Sequence, residues 1–357
     1  MKRYLIALLL ITMVAGSRSC SIKNNRNNGS GIPEATPVPT IQPAQTEAPV
    51  QNDVKEDTIQ SESLVSDEKV RFVVLADSRG LDHGVNSEIV RKILGEVKQL
   101  SPQPEFAIMP GDLTDGSKTY EGVKSQLSYF KELITEYYPI EFYYPGIGNH
   151  EMRAGKNGEK AFLETFSEFD AQFLKGYHRT GYYFDVGDAR LFMLNSDHTG
   201  ELHKITGKQL DWVKANIDSK KSRNFFFLHE PPYPTGAEEG NSLDKHREAR
   251  DIFWKFADTT TGAIVFCGHE HNYSRRLIDK SFNEKIGKKS YRFSNQVYQI
   301  ISGGFGAPLY PQYTNKKNIV IPPAPRYHFT IVDMDRSGVN IQAVDIDGNI
   351  IDTFQVK

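Results

Sequence analysis

Five short segments of the chain are uniformly apolar and predict strands that are buried on both faces. They are too short for amphipathic helices, and a continuous apolar run is typical of a strand that other elements cover on each side. The segments are residues 72–76, 106–109, 142–144, 225–228 and 263–267. Each one ends in a small group of polar residues, and ligands of open α/β sheets collect just beyond the carboxyl ends of such strands.

Segments with helical periodicity lie between these strands. Apolar residues recur three or four positions apart and fall on one helix face in two such segments, which contain Ile89, Ile93, Val97 and Leu100, and Val123, Leu127, Phe130 and Ile134. A third helix is predicted to begin at Thr206, which forms a capping-box pattern with Gln209, and to continue through Ile217. The order strand, helix, strand predicts parallel strand pairs here.

The last third of the chain is rich in strand-forming residues. Segments 297–301, 329–332, 339–344 and 350–354 predict strands, and turn residues at 335–338 and 347–348 predict hairpins. This part should be largely antiparallel and should pack against the first sheet. The predicted fold class is therefore α/β, a four-layer αββα sandwich of two mixed β-sheets flanked by helices.

The beginning of the chain is typical of an export signal. Residues 1–19 combine a basic start with an apolar stretch that is too short to span a membrane comfortably. Cys20 follows directly and predicts a bacterial lipoprotein that is lipidated on this thiol. Because the residues just before Cys20 match a lipoprotein signal poorly, cleavage after Gly16 or Ser17 without a lipid is the alternative.

A polar segment separates this signal from the rest of the chain. Residues 20–68 are rich in Asn, Pro, Thr, Gln, Ser and Glu and predict a disordered linker. Residues 69–357 contain no second linker and predict one domain. We expect the protein in the bacterial cell envelope, held at the membrane by the lipid, or otherwise periplasmic or secreted.

Charge and cysteine content exclude two classes of protein. The 43 Lys and Arg residues are balanced by 45 Asp and Glu residues, so no extended basic field is available for nucleic-acid binding. Once Cys20 is lipidated or removed, Cys267 has no partner, which excludes a disulfide framework. Cys267 is predicted to be a small buried apolar residue.

The polar groups at the five strand ends contain the residue types that hold two divalent metal ions. They read Asp77-Ser78-Arg79, Gly111-Asp112, Gly148-Asn149-His150-Glu151, His229-Glu230 and Gly268-His269-Glu270-His271. Two ions roughly 3.5–4 Å apart can hold both the attacking and the leaving oxygen of a phosphoryl transfer. Asp112 is the natural bridging carboxylate, because Gly111 allows a close approach. Mixed oxygen and nitrogen ligands favour manganese, iron or zinc.

Four of these groups resemble the motifs of the calcineurin-like metallophosphoesterase superfamily. The family pattern contains Gly-Asp-x-x-Asp or Gly, Gly-Asn-His-Glu or Asp, a lone His, and Gly-His-x-His, in this order. The chain matches it at residues 111–115, 148–151, 229 and 268–271. Each block alone is common, but together they are specific. The superfamily includes purple acid phosphatases and cyclic-nucleotide phosphodiesterases.

The resemblance implies a role for each residue. The first metal ion would be held by Asp77, Asp112 and His271, and the second by Asp112, Asn149, His229 and His269. His150 would lie beside the substrate phosphate and either stabilise its charge or protonate the leaving oxygen. The implied reaction is hydrolysis of a small phosphomonoester or phosphodiester by in-line attack of a metal-bound hydroxide.

The first motif departs from the family, which has Asp-x-His where this chain has Arg79. A guanidinium has no lone pair for a metal. Three accounts are open: water or another residue replaces the ligand, Arg79 contacts the substrate phosphate, or the first metal is weak or absent. We favour Arg79 as a phosphate contact beside a weakened first site. The nearest other imidazole, His83, is expected to be solvated. Purple acid phosphatases also lack this His but use a Tyr where this chain has Asp115.

Two motif carboxylates and one loop have no ligand role by resemblance. Asp115 and Glu151 are expected to accept hydrogen bonds from the metal-binding histidines, and a solvated carboxylate is the alternative for Asp115. Residues 303–310 resemble a C-terminal loop of bacterial family members and are expected to border the site. A plain Gly-rich connection is the alternative.

Two other functional classes share some of these features. Zinc peptidases of the HExxH type need a second His four residues after the first, and the three His-Glu pairs have Ala154, Tyr233 and Tyr273 there. A non-catalytic exported binding protein with a degenerate metal site is the second class, and it is motivated by Arg79. His150 favours an enzyme, because metal binding alone does not require it.

Overall fold

Two mixed β-sheets pack face to face, and helices cover their outer faces. The computed structural model describes residues 69–286 and 289–357. The predicted signal peptide, Cys20 and the linker lie outside the described residues. Within the described part of the chain, no helix combines the length and the apolar character that crossing a membrane requires.

α-Helices occur between strands only in the first two thirds of the described chain, and the last third consists of strands alone. In chain order the strands are β1 (Val70–Val74), β2 (Arg79–Asp82), β3 (Phe106–Met109), β4 (Tyr143–Pro145), β5 (Gln172–Phe173), β6 (Tyr182–Val186), β7 (Ala189–Leu194), β8 (Arg223–Leu228), β9 (Ala263–Cys267), β10 (Tyr273–Ile278), β11 (Glu284–Ile286), β12 (Lys289–Tyr291), β13 (Val297–Ser302), β14 (Ile319–Ala324), β15 (His328–Asp335), β16 (Gly338–Asp345) and β17 (Ile350–Val356).

The first sheet has six strands in the order β17-β16-β15-β1-β3-β4, and the second has eight in the order β14-β10-β13-β9-β8-β7-β6-β5. The strands β1, β3 and β4 are parallel, as are β7, β8, β9 and β13. The strands β15, β16 and β17 form the predicted antiparallel hairpins. The predicted four-layer α/β fold is therefore confirmed. The strand β13 differs from the largely antiparallel pattern expected for the last third, because it pairs in parallel with β9.

Five α-helices connect or flank these strands in the described residues: α1 (Ser87–Val97), α2 (Tyr120–Thr135), α3 (Lys156–Thr165), α4 (Gly207–Ala215) and α5 (Arg247–Thr259). Short 3-10 turns occupy Ile140–Phe142, Glu151–Ala154 and Leu243–His246. The helix α2 begins where the hydroxyl of Thr119 accepts a hydrogen bond from the Gly122 amide at 3.1 Å. Its predicted apolar face is buried against the sheet.

The predicted capping box of α4 is wrong. Thr206 does precede the helix, but its side chain caps nothing. The Gln209 side chain instead accepts from the Asn195 amide at 2.8 Å and donates to the Asn195 carbonyl at 3.0 Å. Buried backbone groups beyond the end of β7 need partners, and this need outweighs local capping. The helix ends at Ala215, so Ile217 lies outside it.

The core between the two sheets is strongly aromatic. Phe72 of β1 stacks on Phe106 of β3 at 5.0 Å and meets Phe225 of β8 edge-on at 5.7 Å. Alternate residues of β8 point away from this core, and Phe226 packs against Phe253 of α5. Both faces of the central strands are covered, which explains their unbroken apolar sequence. Cys267 is buried in β9, as predicted.

Candidate metal centre

The carboxyl ends of five parallel strands bring the motif residues together. Asp77 follows β1, Asp112 follows β3, and Asn149 follows β4, while the three candidate histidine ligands follow β8 and β9. The loops after β1 and β3 run along one another, because the Ser78 amide donates to the Asp112 carbonyl at 2.9 Å. The loop after β13 approaches from the other side, since the Tyr310 amide donates to the His271 carbonyl at 2.9 Å.

Four side-chain atoms converge where the second metal ion is expected. The Nε2 atom of His229 lies 3.0 Å from Oδ1 of Asn149 and 3.2 Å from Oδ1 of Asp112. The Nδ1 atom of His269 lies 3.1 Å from the same nitrogen. Such spacing matches oxygen and nitrogen ligands placed about 2.0–2.2 Å from one shared ion.

Backbone carbonyls orient the rings of this group. Nδ1 of His229 donates to the Pro110 carbonyl at 3.1 Å, which leaves Nε2 directed at the cluster. Nε2 of His269 donates to the Asn241 carbonyl at 3.3 Å, which leaves Nδ1 directed there. Metal-binding histidines are commonly fixed in this way through their other nitrogen.

The electrostatics of the group fit a cation. Burial alone would lower the pKa of His229, but the Asp112 carboxylate raises it to about 10. Burial would likewise raise the pKa of Asp112, but the charges of His229 and His150 hold it well below its usual range. The centre thus stabilises a positive charge among buried lone pairs, whether a proton or a metal ion carries it. The donor set fits a divalent metal.

The candidate ligands of the first metal are also buried together, but they lie slightly farther apart. Nε2 of His271 lies 3.6 Å from Oδ1 of Asp77, and its Nδ1 donates to the Pro308 carbonyl at 2.6 Å. Burial raises the pKa of the Asp77 carboxyl to about 7. Asp77 and Asp112 offer carboxylate oxygens to one group within 4.8 Å that also includes His229.

Arg79 occupies the side of the centre next to the first group. Its Nε lies 4.0 Å from Oδ2 of Asp112, and its Nη1 lies 3.6 Å from Oδ1 of Asp115. Its Nη2 donates to the Tyr310 hydroxyl at 2.8 Å, while Nε is buried without a hydrogen-bond acceptor. A fixed guanidinium therefore lies beside the Asp112 carboxylate. His83 is exposed and packs on Tyr129, at 4.7 Å between ring centroids.

His150 faces the same carboxylate from the opposite loop. Its Nδ1 donates to the Asp115 carbonyl at 2.8 Å, and its Nε2 lies 3.7 Å from Oδ2 of Asp112. Nη2 of Arg153 lies 3.4 Å from that Nε2. Burial lowers the pKa of His150 and Arg79 lowers it further, while Asp112 opposes the shift.

The expectation that Asp115 and Glu151 serve the metal-binding histidines is wrong. Those histidines use backbone carbonyls, as described above. Asp115 instead accepts from His150 and Arg153. Glu151 is fully buried and accepts from the amides of Thr114 at 2.8 Å and Gly148 at 2.9 Å, so it joins the loops after β3 and β4. Burial raises its pKa to about 8.

Two motif glycines are required by close contacts at the carboxylates. A Cβ atom on Gly148 would lie 2.2 Å from Oδ1 of Asp112, and one on Gly268 would lie 2.3 Å from Oδ2 of Asp77. The backbone is also unusual here, because Asp77, Asp112 and His269 have φ of 66°, 49° and 70°. Strained conformations of non-glycine residues concentrate at functional sites.

Sequence reasoning missed two groups that border the centre. Arg153 reaches His150 because residues three apart lie on the same face of a helical turn, here Glu151–Ala154. This spacing can be read from the sequence. The side chain of Glu238 lies 3.6 Å from Nε2 of His269, and no local pattern signalled this contact. Residues 303–310 border the site as expected, and Tyr310 stacks on His271 at 4.1 Å.

Comparisons with known proteins agree with this geometry. A family model described as calcineurin-like phosphoesterase matches residues 70–273, more than half of the chain. A probable glycerophosphodiester phosphodiesterase of Arcobacter nitrofigilis is 27% identical over 189 residues, which are 52% of this chain and 63% of that protein. An uncharacterized protein of Mycobacterium tuberculosis is 24% identical over 218 residues, which are 56% of this chain and 40% of that protein. The chain thus spans less than two thirds of the length of either relative.

The fold is similar to that of a solved plant enzyme. The purple acid phosphatase PPD1 from yellow lupin (Lupinus luteus) seeds superposes with a TM-score of 0.61 at 19% identity, over 81% of this chain and 54% of that one. At this identity the likeness concerns the fold. Together with the family model and the converging ligands, it leads to one conclusion: the chain belongs to the calcineurin-like phosphoesterase family.

Proposed function

We propose that this chain is a metal-dependent phosphoesterase that hydrolyses a small phosphomonoester or phosphodiester by in-line displacement. One observation carries the proposal: four buried or half-buried lone-pair atoms of His229, Asn149, Asp112 and His269 meet at 3.0–3.2 Å. Such a cluster costs stability unless a cation neutralises it. A binding site for divalent metal at the carboxyl ends of parallel strands is also where a substrate has access.

The residues divide into two sets of ligands that share Asp112. Asp112, Asn149, His229 and His269 would hold one ion, and Asp77, Asp112 and His271 would hold the other. Manganese, iron or zinc suits these mixed ligands. When bound, such ions supply an activated water and neutralise charge on the phosphate.

Two arginines and one histidine would act on the substrate itself. Arg79 and Arg153 lie on either side of Asp115 and place two guanidiniums at the mouth of the centre. Guanidiniums bind phosphate oxygens in a bidentate manner. The Nδ1–H group of His150 is held by the Asp115 carbonyl, so its Nε2 points inward and can hold the proton that the leaving oxygen receives.

Arg79 also weakens the first metal position in this proposal. Its guanidinium lies beside Asp112 and repels a second dication, and it supplies no lone pair where relatives have a histidine. We therefore expect one tightly bound ion and one weakly bound ion per chain. Arg79→His should increase the number of tightly bound ions towards two and should raise KM, because the phosphate contact is lost. A wild type with two tight ions and an unchanged KM in the variant would contradict this part.

A substrate panel tests the proposed activity. Chromogenic phosphomonoesters and phosphodiesters are assayed with added manganese or zinc, and metal content is measured in parallel. His150→Gln should lower kcat by about 10²–10⁴-fold and leave metal content unchanged. His83→Ala is the matched control, because His83 is an exposed histidine directly after β2, and its activity should equal that of the wild type.

The same assay separates the second candidate, a non-catalytic binding protein. Arg79 in place of a histidine motivates this candidate. Wild-type protein that holds metal but hydrolyses none of the esters would favour it. Hydrolysis that depends on His150 would exclude it.

We also propose, from the sequence, that the protein is exported and lipidated on Cys20. Wild-type protein expressed in a bacterium should incorporate labelled fatty acid, and Cys20→Ala should not. Equal absence of label from both proteins would favour cleavage after Gly16 or Ser17 without a lipid.

A further inference from the structure

A second cluster of potential metal ligands lies outside the centre described above. Asp197, His203 and Glu230 each offer a ligand atom, and these atoms lie within 4.8 Å of one another. Asp197 and Glu230 are buried, at 2% and 0% exposure, and His203 is half-buried. The resemblance assigns no role to any of these three residues.

The cluster lies near the main centre but uses different side chains, which have other partners. In β8, Phe225 and Phe227 belong to the core between the sheets, whereas Phe226 and Leu228 belong to the core below α5. The two residues that follow β8 continue this separation. His229 points to the Pro110 carbonyl of the first sheet's loop, while Glu230 meets the loop that follows β7.

One carboxylate oxygen of Glu230 lacks a donor among residues 69–286 and 289–357. Its Oε1 lies 2.6 Å from Nδ1 of His203, but its Oε2 is buried and receives no hydrogen bond from a donor group of these residues. The group within hydrogen-bond reach is the carboxylate of Asp197, which is another acceptor. Asp197 in turn accepts from the Ser196 hydroxyl at 2.8 Å. Two buried carboxylates side by side require a shared proton or a cation between them.

The backbone around His203 directs the imidazole at these carboxylates. His203 has a left-handed backbone conformation, with φ of 58°, which is uncommon for a residue with a Cβ atom. The ring is thereby turned back from the loop towards the end of β8.

We propose that Asp197, His203 and Glu230 form a separate site for one divalent transition-metal ion, with zinc the best fit. Zinc accepts imidazole nitrogens and carboxylate oxygens as ligands, and a site with three protein ligands leaves its fourth position for water or another ligand. The proposal does not rest on the proposed function, because it concerns residues that the proposed function does not use. The ion would tie the loop after β7 to the residue that adjoins His229.

One positive charge opposes the ion. Nζ of Lys245 lies 3.2 Å from Nε2 of His203, the ring nitrogen that points away from Glu230. When Nδ1 binds a metal, the ring proton moves to Nε2, so Lys245 has to turn away. It can do so because its side chain is exposed. Lys245→Met should therefore tighten binding of the ion, by about threefold for a screened surface charge.

Equilibrium dialysis of the chelator-treated full chain against zinc tests the site. The number of ions bound at saturation should be one greater in the wild type than in His203→Asn. Asparagine tolerates the left-handed backbone but is too short to reach the cluster. Glu230→Gln should lose the same ion. His203→Asn decides the result if Glu230→Gln also disturbs the neighbouring His229.

His198→Asn is the matched control. His198 lies on the same loop, and its Nδ1 contacts the buried carboxylate of Glu159 at 2.5 Å, but no second carboxylate joins that pair. This variant should bind as many zinc ions as the wild type. Equal numbers of ions in the wild type and His203→Asn would overturn the proposal and would assign a shared proton to Asp197 and Glu230.

Discussion

His328 should make the stability of this protein depend on pH through a single buried ring. The ring is 1% exposed, and its Nδ1 donates to the Arg326 carbonyl at 2.8 Å. Its Nε2 lies 3.3 Å from the Ser302 hydroxyl, and Tyr273 packs against it edge-on. Burial lowers the pKa of His328 from 6.5 to about 4, against the opposing effects of the Arg326 carbonyl and the charge of Asp345.

The direction of the pH effect on the free energy of unfolding depends on whether the folded or the unfolded state binds the proton first. As pH falls below the unfolded pKa of 6.5, the unfolded chain takes up a proton that the folded chain refuses until the pH reaches about 4. The free energy of unfolding therefore decreases between these two values and is fully retained above them. A depression of this size corresponds to about 3 kcal/mol in total, of which about 2 kcal/mol is lost by about pH 5.

Urea unfolding, followed by the fluorescence of the buried Trp254, measures this effect in the wild type and in His328→Asn. The asparagine amide can replace Nδ1–H as a donor to the Arg326 carbonyl but does not titrate. All other groups, including those of the metal centre, titrate in both proteins and cancel in the difference. From about pH 8 to about pH 5, the free energy of unfolding should decrease by about 2 kcal/mol more in the wild type than in the variant. The reasoning would be refuted if the free energies of unfolding of the wild type and the variant differed by the same amount at both pH values.

Three further predictions concern close contacts, substrate binding and the core. Gly148→Ala should abolish tight metal binding, because its Cβ would lie 2.2 Å from Oδ1 of Asp112. Gly95→Ala in α1 is the control: a Cβ there meets no described atom within 4 Å, so metal content should stay unchanged and the fold should become more stable by about 0.5–1 kcal/mol. Metal analysis and urea unfolding measure the two effects. Arg153→Ala should raise KM for a phosphate ester by about threefold to fivefold with a smaller change in kcat, because its side chain is 43% exposed, and an unchanged KM would contradict its role as a phosphate contact. Phe130→Ala should lower the free energy of unfolding by about 3–5 kcal/mol, because this side chain of α2 is completely buried, and a loss below about 1 kcal/mol in urea unfolding would contradict that packing.

The strands and the positions of the candidate ligands were predictable because both depend on local sequence. A strand that is covered on both faces must be apolar along its length, as in Ala263–Cys267, whose bounds match the prediction. Ligands follow such strands directly, so their approximate positions follow from the strands. The half-exposed strand Tyr182–Val186 gave no such signal, because polar and apolar residues mix along it.

The partners of individual side chains were not predictable to the same extent. Gln209 had a plausible local partner at the helix start but bonds to Asn195, which comes near only after the chain folds. Glu151 joins two loops for the same reason. Hydrogen-bond partners depend on which buried backbone groups lack a partner in the folded state, and the spacing of residues along the chain does not contain that information.

The arrangement of Asp112, Asn149, His229 and His269 is the central claim, and anomalous diffraction tests it most directly. Crystals of the full chain equilibrated with manganese or zinc would be measured at the absorption edge of that metal. The account predicts a strong peak enclosed by these four residues and a weaker peak, or none, between Asp77 and His271. A map with no peak among the four residues would contradict it.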